Sequence, residues 1–366
     1  QATQSAMHKA IRNVMKQIKD LDTNNLFLLI DGNYFKPLTI VNKQTNRIEN
    51  AKFETIEGGD NKFTAIAAAS ILAKVERDQY IADLCESNPE LIEKITSITA
   101  YEVRASGIPW NFSPVLDLGR QPLWSRFFET YGEDVYLAKK MTASAIKGYQ
   151  GNDVSSKNKV AACMKHFVGY SGTNSGRDRT PAWIPEKYMK ELYLPSFKAA
   201  VEHGALTVMI NSGAVNGVPG HINHHLITET LKGEWGFKGF AVSDWEDFIM
   251  LHTVHSTSPS LADAYVQAFN AGVDMSMVPL SPQYQEYCTI MVNAVKSGKI
   301  SMERLDDAVR RILYVKSKLG LFERPEPTFE NYPKFGSAEF QQASLNSALE
   351  SITLLKNENG ILPLSK

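Results

Sequence analysis

The chain has 366 residues, with 39 basic and 40 acidic side chains and a formal net charge of −1. Its 43% hydrophobic and 22% charged residues suffice for a substantial core and exclude global disorder. The balanced charge argues against nucleic acid as a partner, and no apolar run approaches the ~20 residues of a membrane span. The cysteines Cys85, Cys163 and Cys288 lack the spacing of a zinc site or a disulfide framework. No basic-then-apolar leader follows Gln1, so the sequence leaves the cellular location open.

The first 87 residues predict a helix, a strand, a hairpin and a second helix. Apolar spacing predicts the first helix over 6–19, a buried strand covers 26–31, and a loose alternation over 38–57 indicates a hairpin. An Ala-rich stretch over 63–85 predicts the second helix. Asp31 and Asp78 lie in these elements and could share a divalent metal, but such sites usually need more acidic ligands. No metal or other cofactor is therefore predicted.

From residue 88 onward, strands alternate with helices of 10–18 residues. Such alternation predicts a parallel sheet of the α/β class, and five or more units favour a TIM-type (β/α) barrel. The predicted strands are 110–119, 160–170, 205–212, 239–245 and 273–279. The predicted helices are 88–107, 132–151, 186–204, 224–236, 260–272 and 302–320.

Polar side chains stand where these predicted strands end, which is where barrel enzymes place their chemistry. They are Asp117, Lys165 with His166, Asn211 and Asp244. Asp244, followed by Trp245, is placed to be a nucleophile or to stabilise an oxocarbenium ion, although capping of a following helix is an equal alternative. Lys165 and His166 suit hydrogen bonding to sugar hydroxyls, with a core histidine beside a surface lysine as the alternative.

Aromatic, histidine and arginine residues add weaker signals. All five tryptophans lie between residues 110 and 245, where they could stack on sugars, although core packing is the better interpretation for three or four of them. The cluster around His221 lacks acidic or cysteine partners at metal-ligand spacing, so we interpret it as a helix entry. Loop arginines such as Arg126 and Arg179 could bind hydroxyls or a carboxylate, but each suits a surface ion pair better.

Several runs after residue 88 resemble the family 3 glycoside hydrolases, the β-glucosidase group. They are SGIPWNFSPVLDLGRQPLW, ETYGEDVYL, KHFVGY, GRDRTP, TVMINSGAVNGVP, LKGEWGFKGFAVSDW and LLKNENGILPL. The resemblance implies retaining hydrolysis of terminal β-linked glucose or a similar sugar, with a β-linked glycoside or oligosaccharide as substrate. It implies Asp244 as nucleophile and Trp245 as its aromatic neighbour. Further matching positions hold the sugar hydroxyls or lie near the pocket: Arg120, Lys165, His166, Asp178, Met209 and Ser212.

The sequence departs from the family pattern at several points. The usual arginine loop Arg-Asp-Pro-Arg-Trp-Gly-Arg is altered over residues 120–126, where only some of its residues remain. The family's acid/base residue normally comes from a following sandwich domain, and neither Glu246 nor Asp247 has a family warrant for that role. The first barrel strands are expected before residue 88 and are missing. We therefore expect a (β/α)8-type barrel that lacks its first strands, and a homo-oligomer is one way to cover the exposed barrel edges. The alternative function is a sugar-binding barrel without turnover.

Residues 6–86 resemble the C-terminal half of a type 2 ribonuclease H. The matching runs are LLIDGNYFKP and EGGDNKFTAIAAASILAKVERD, which place Asp31 and Asp78 at two of the family's four metal-binding carboxylates. Since the other two are missing, these are vestigial positions and nuclease activity on an RNA–DNA hybrid is disfavoured. The sequence thus predicts a ribonuclease H-like fragment over 1–87, a barrel over 88–323 and a linker over 324–366.

Overall fold

The protein is described from a computed structural model covering residues 89–280, 282–323 and 328–351. Parts of the first 62 residues are also described, namely 8, 11–12, 15–16, 18, 26–31, 35–42, 45, 47–57 and 62. The chain divides into two compact units, Gln1–Ile81 with Ala348–Lys366, and Ala82–Ser347.

The first unit contains two small sheets. The strands are β1 Phe27–Asp31, β2 Thr39–Asn42, β3 Arg47–Asn50 and β4 Lys52–Ile56. β1 pairs in parallel with β4, and β2 pairs with β3 as an antiparallel hairpin. The predicted strand over 26–31 and the hairpin are therefore confirmed. The predicted helix over 63–85 lies outside the described residues.

The second unit is built on a parallel sheet whose neighbouring strands follow one another along the chain. The strands are β5 Cys163–Phe167, β6 Thr207–Ile210, β9 Phe240–Trp245 and β10 Met275–Met277, in the order β5-β6-β9-β10. Between β6 and β9 lies a short antiparallel hairpin, β7 Ala214–Val215 with β8 Val218–Pro219. Helices separate the parallel strands, so the predicted α/β fold of TIM-barrel type is confirmed.

The strand predicted over 110–119 takes an irregular form. Two isolated bridges join it to the segment that contains β5, Trp110 with Ala161 just before that strand and Val115 with Lys165 within it. Pro114 has no N–H and cannot donate to a neighbouring strand, although its carbonyl accepts the N–H of Lys165 at 3.1 Å. The segment therefore occupies a strand position beside β5 without forming a regular strand.

Helices pack outside this sheet. The described α-helices of seven or more residues are α1 Pro89–Ala105, α2 Val135–Gln150, α3 Leu194–Glu202, α4 Asp247–Thr253, α5 Leu261–Asn270, α6 Gln283–Lys296, α7 Met302–Lys318 and α8 Ala338–Ser351, with a π-helix at His225–Glu234. A helical turn at Glu186–Tyr188 and a π-helical segment at Met189–Tyr193 lead into α3. Asp134, Ser260 and Ser301 cap the starts of α2, α5 and α7 with their side chains. The sequence predicts neither α4 nor α6: α4 is short and follows a strand directly, and α6 buries only Ala294.

The two faces of the sheet pack into separate clusters. Val208, Ile210 and Ala241 belong to the large cluster formed with the helices. Met209 and Val242, the alternate residues, belong to a second cluster. Because side chains alternate along a strand, Asp244 shares a face with Val242 rather than with Ala241.

Candidate active site

The strand ends at this edge of the sheet bring a carboxylate, a histidine and a second carboxylate together. His166, near the end of β5, is almost fully buried, and its Nδ1 lies 2.8 Å from Oδ2 of Asp117. Its Nε2 lies 3.7 Å from Oδ2 of Asp244 at the end of β9. Three of the polar positions predicted at the strand ends therefore form one line across the sheet edge.

Asp117 fixes the orientation of the His166 ring. Its Oδ2 also accepts the main-chain N–H of His166, at 3.0 Å. A carboxylate this close to Nδ1 accepts a proton carried there, and Nε2 faces Asp244. The histidine is buried, as its core alternative predicts, and also faces the candidate nucleophile.

Asp244 is held as an anion. Its side chain is 14% exposed, and its Oδ1 accepts the N–H of Trp245 at 2.6 Å. Burial opposes ionisation, but His166, the Trp245 amide, Ser212 and Arg179 together outweigh it and lower the pKa of the Asp244 carboxyl. A carboxylate at a strand end, ionised at neutral pH, meets the chemical requirement of a nucleophile.

The capping alternative for Asp244 is wrong. The residue at the N-cap of α4 is Glu246, in a left-handed conformation, and its side chain makes no capping hydrogen bond. The neighbouring Ser243 hydroxyl is also used elsewhere, since it accepts the N–H of Met277 at 2.7 Å. The carboxylate of Asp244 is thus directed to the site and not to the helix that follows.

Three further residues lie around Asp244, namely Arg179, Asp247 and His221. Arg179 places Nη2 3.8 Å from Oδ1 of Asp244 and Nη1 3.4 Å from Oδ1 of Asp247. His221, buried in a short 3₁₀ turn, accepts the main-chain N–H of Asp244 on Nε2 at 3.2 Å. Our interpretation of His221 as a helix-entry residue therefore misses its contact with the strand end.

Burial dominates the charge state of two of these residues. It raises the pKa of Asp247 to about 7, with the Asp244 carboxylate adding to the effect and Ser212 and Arg179 opposing it. It lowers the pKa of His221 to about 3, although the Asp244 carboxylate acts in the opposite direction. His221 is therefore neutral at physiological pH.

The remaining residues matched to sugar binding lie in varied surroundings. Arg120 is exposed, Lys165 is half-buried on β5, and Met209 is buried on β6. Asp178 is exposed, and its carboxylate contributes, after burial, to raising the pKa of the Tyr170 hydroxyl. Arg126 instead forms a bidentate ion pair with Glu129, at 2.7 and 2.9 Å.

The tryptophans divide between core and surface. Trp124 is buried against Tyr170, while Trp110 and Trp235 pack at the margins of the two core clusters. Trp183 and Trp245 are 62% and 47% exposed. Core packing is therefore right for three of the five, and Trp245 stands beside Asp244 with an accessible ring.

No metal centre emerges from the described part of the chain. Among those residues, no group of three or more His, Cys, Asp or Glu side chains could hold an ion. Asp31 ends β1, and Asp78 lies outside the described residues. The helices described here also include none with the length and apolar character needed to cross a membrane.

Two protein-family models match this chain. The model of the family "Glycosyl hydrolase family 3 N terminal domain" matches residues 79–315, and that of "Ribonuclease HII" matches residues 2–104. The chain therefore belongs to glycosyl hydrolase family 3, and its resemblance to ribonuclease HII is confirmed at the level of the family match.

Individual relatives point the same way. The chain is 44% identical to a lysosomal beta glucosidase of Dictyostelium discoideum, over 85% of this chain and 39% of the relative. It is 38% identical to a beta-xylosidase of Formosa agariphila, over 78% of this chain and 40% of the relative. The crystal structure of a beta-glucosidase from Listeria innocua superposes with a TM-score of 0.71 at 32% identity, covering 77% of this chain and 39% of that one. The chain thus spans about two fifths of the length of these relatives.

Proposed function

We propose that the protein acts as a retaining glycoside hydrolase on terminal β-linked glucose or a similar sugar, with Asp244 as the nucleophile. The observation that carries the proposal is the buried, ionised carboxylate of Asp244 facing the Asp117–His166 pair at the strand ends. The names of the relatives, β-glucosidase and β-xylosidase, support a β-linked substrate.

In the proposed first step, Asp244 attacks the anomeric carbon while the bond from that carbon to the leaving oxygen breaks. This forms a covalent glycosyl-enzyme ester with inversion, and the leaving oxygen takes up a proton. Water then attacks the same carbon with a second inversion, gives up a proton, and frees the sugar and the Asp244 carboxylate. His166, Lys165 and Arg120 are proposed to hold the sugar hydroxyls, with Asp178 and Met209 lining the same pocket. Trp245, next to Asp244 in the chain, presents an exposed ring.

Mechanism-based labelling tests this assignment without depending on an acid/base residue. The reagent is a 2-deoxy-2-fluoro-β-glucoside carrying 2,4-dinitrophenolate, a leaving group that departs without protonation. The expected result is one covalent fluoroglucosyl adduct, mapped by peptide mass spectrometry to Asp244. Asp244→Asn should abolish the adduct, whereas Asp306→Asn, an exposed aspartate on α7, should leave it unchanged.

The result also separates the alternatives. An adduct on another residue would refute Asp244 as the nucleophile. Glucose binding by calorimetry without any adduct would instead favour the sugar-binding barrel. A matched fluoroxyloside, used in parallel, compares the two sugars named among the relatives.

A further inference from the structure

The pairing of β9 with β6 ends just before the candidate nucleophile. Its register runs from Phe240 to Val242 and stops there. Asp244 lies two residues further on, and its N–H donates to a side chain instead of to β6. The acceptor is Nε2 of His221, at 3.2 Å on a fully buried ring.

The direction of this hydrogen bond fixes the tautomer of His221. A main-chain N–H can only donate, so Nε2 accepts and the ring proton lies on Nδ1. Nδ1 faces Oδ2 of Asp247 at 3.6 Å. Asp247 is itself buried, and its Oδ2 has no hydrogen-bond partner among the described residues. The carboxylate thus favours the tautomer that leaves Nε2 free to accept.

We propose that His221 is a positioning residue for Asp244, kept in its Nδ1-protonated form by Asp247 and supported by the Arg179 link between the two aspartates. The proposal rests on the proposed function, because it assigns to these residues the task of orienting the nucleophile. His221, Asp247 and Arg179 are not among the residues that the family resemblance matches to sugar binding.

The charges around Asp247 are compatible with this arrangement. It faces His221, the Arg179 guanidinium, the Asp244 carboxylate and the more distant Asp178. His221 must be neutral to accept a hydrogen bond, and burial keeps it so. Arg179 itself has a φ of 57°, a left-handed conformation that few non-glycine residues adopt. The loop therefore holds this side chain near the two aspartates at a conformational cost.

Imidazole nitrogen NMR on the full chain tests the geometry independently of activity. The expected result is that His221 has an unprotonated Nε2 and a protonated Nδ1 at about pH 8, where Asp247 is ionised. Its signals are assigned by their loss in His221→Gln. An Nε2-protonated tautomer, or a titration near the ordinary histidine pKa, would overturn the proposal.

Labelling kinetics with the dinitrophenyl fluoroglucoside test the consequence. His221→Phe removes the acceptor, and we expect the maximal labelling rate to fall about 100-fold. Reagent concentration at half-maximal rate should change less than about threefold, because the loss concerns the transition state and not binding. His221→Gln, which retains an acceptor, should recover part of the rate. If His221→Phe does not fold, His221→Met replaces it.

The control is His203→Phe. His203 also bonds main chain, with Nδ1 2.8 Å from the carbonyl of Ala199, but it lies just after α3, at the other end of the strands. Labelling of His221→Phe at the wild-type rate, or an equal loss in His203→Phe, would refute the positioning role. Absence of labelling in the wild type would instead refute the proposed function, and the NMR result would still decide the geometry.

Discussion

A buried ion cluster lies at the opposite end of the strands from Asp244. Asp274, just before β10, is fully buried and accepts hydrogen bonds from Lys232 Nζ at 2.7 Å and Arg304 Nη2 at 2.5 Å. Its second oxygen accepts the N–H of Ala241 in β9 at 2.8 Å. One carboxylate therefore connects two strands, the π-helix and α7. We predict that Asp274→Ala destabilises the barrel unit severely.

The magnitude follows from burial. Removing one partner of a buried pair leaves the other charge uncompensated and costs about 3–5 kcal/mol. The orphaned N–H of Ala241 adds about 1 kcal/mol, for an expected loss of roughly 4–6 kcal/mol. The matched control is the Glu186–Lys190 pair, which has the same 2.5 Å separation but is 78% and 67% exposed. Glu186→Ala should produce no measurable change, because water screens that pair.

Urea unfolding followed by tryptophan fluorescence measures both variants. All five tryptophans lie between residues 110 and 245, so the signal reports the barrel unit. A loss of about 1 kcal/mol or less in Asp274→Ala, the range of surface pairs, would refute the reasoning from burial.

The pH dependence identifies the charge responsible. Burial, opposed by Asp274, lowers the pKa of Lys232 to about 8. Above that value the folded chain releases the proton while the unfolded chain keeps it up to about 10.4, so stability rises with pH across this window. Without Asp274 the lysine deprotonates still more readily, so the deficit of Asp274→Ala should shrink as the pH rises to about 8 and then level off, because above it the lysine is neutral in both folded chains. A deficit that does not change below about pH 8 would exclude Lys232 as its source.

Three further predictions concern the site and its supporting helix. Asp117→Asn should slow the labelling of Asp244 about 100-fold, because the amide no longer selects the form of His166 with a proton on Nδ1. The labelling rate at saturating reagent measures this loss. The pKa of Asp247 is about 7 in the folded chain, above its unfolded value, so the wild type loses stability as this buried carboxyl ionises. Asp247→Asn lacks that ionisation and should therefore gain stability over the wild type as the pH rises from about 4 to 8, by up to roughly 4 kcal/mol in urea unfolding. Asp134→Ala should cost about 1 kcal/mol by removing the cap of α2, whereas Glu133→Ala beside it should be neutral in the same assay.

The parallel sheet and its polar edge could be predicted because they follow from periodic signals. Apolar strand runs separated by amphipathic helices place the strands, and the residue after each run marks its end. Asp117, His166 and Asp244 were predicted in this way, and the structure brings them together. The irregular 110–119 segment shows the limit, since the apolar pattern reports burial while Pro114 prevents a regular strand.

The residues that complete the site carry no periodic signal. Arg179 lies in a loop, His221 in a three-residue 3₁₀ turn, and Asp247 begins a helix of seven residues. Arg179 stands 68 positions from Asp247, and His221 stands 23 positions from Asp244. Such contacts depend on where strand ends meet in space, which neither spacing nor composition encodes locally.

Asp244 and Asp247 show most directly why the charge of the site cannot be derived from the sequence alone. They are the same residue type, three positions apart, yet the pKa of one is lowered and that of the other is raised to about 7. The difference lies in their surroundings, because Asp244 receives a main-chain N–H at 2.6 Å and faces His166, whereas Asp247 is more deeply buried with one oxygen unpaired among the described residues. Burial and the neighbouring charges therefore give the two carboxyl groups different pKa values. Asp244 is an ionised candidate nucleophile, whereas Asp247 titrates near neutral pH. We therefore expect the pH dependence of labelling to reflect the ionisation of Asp247 as well as that of Asp244.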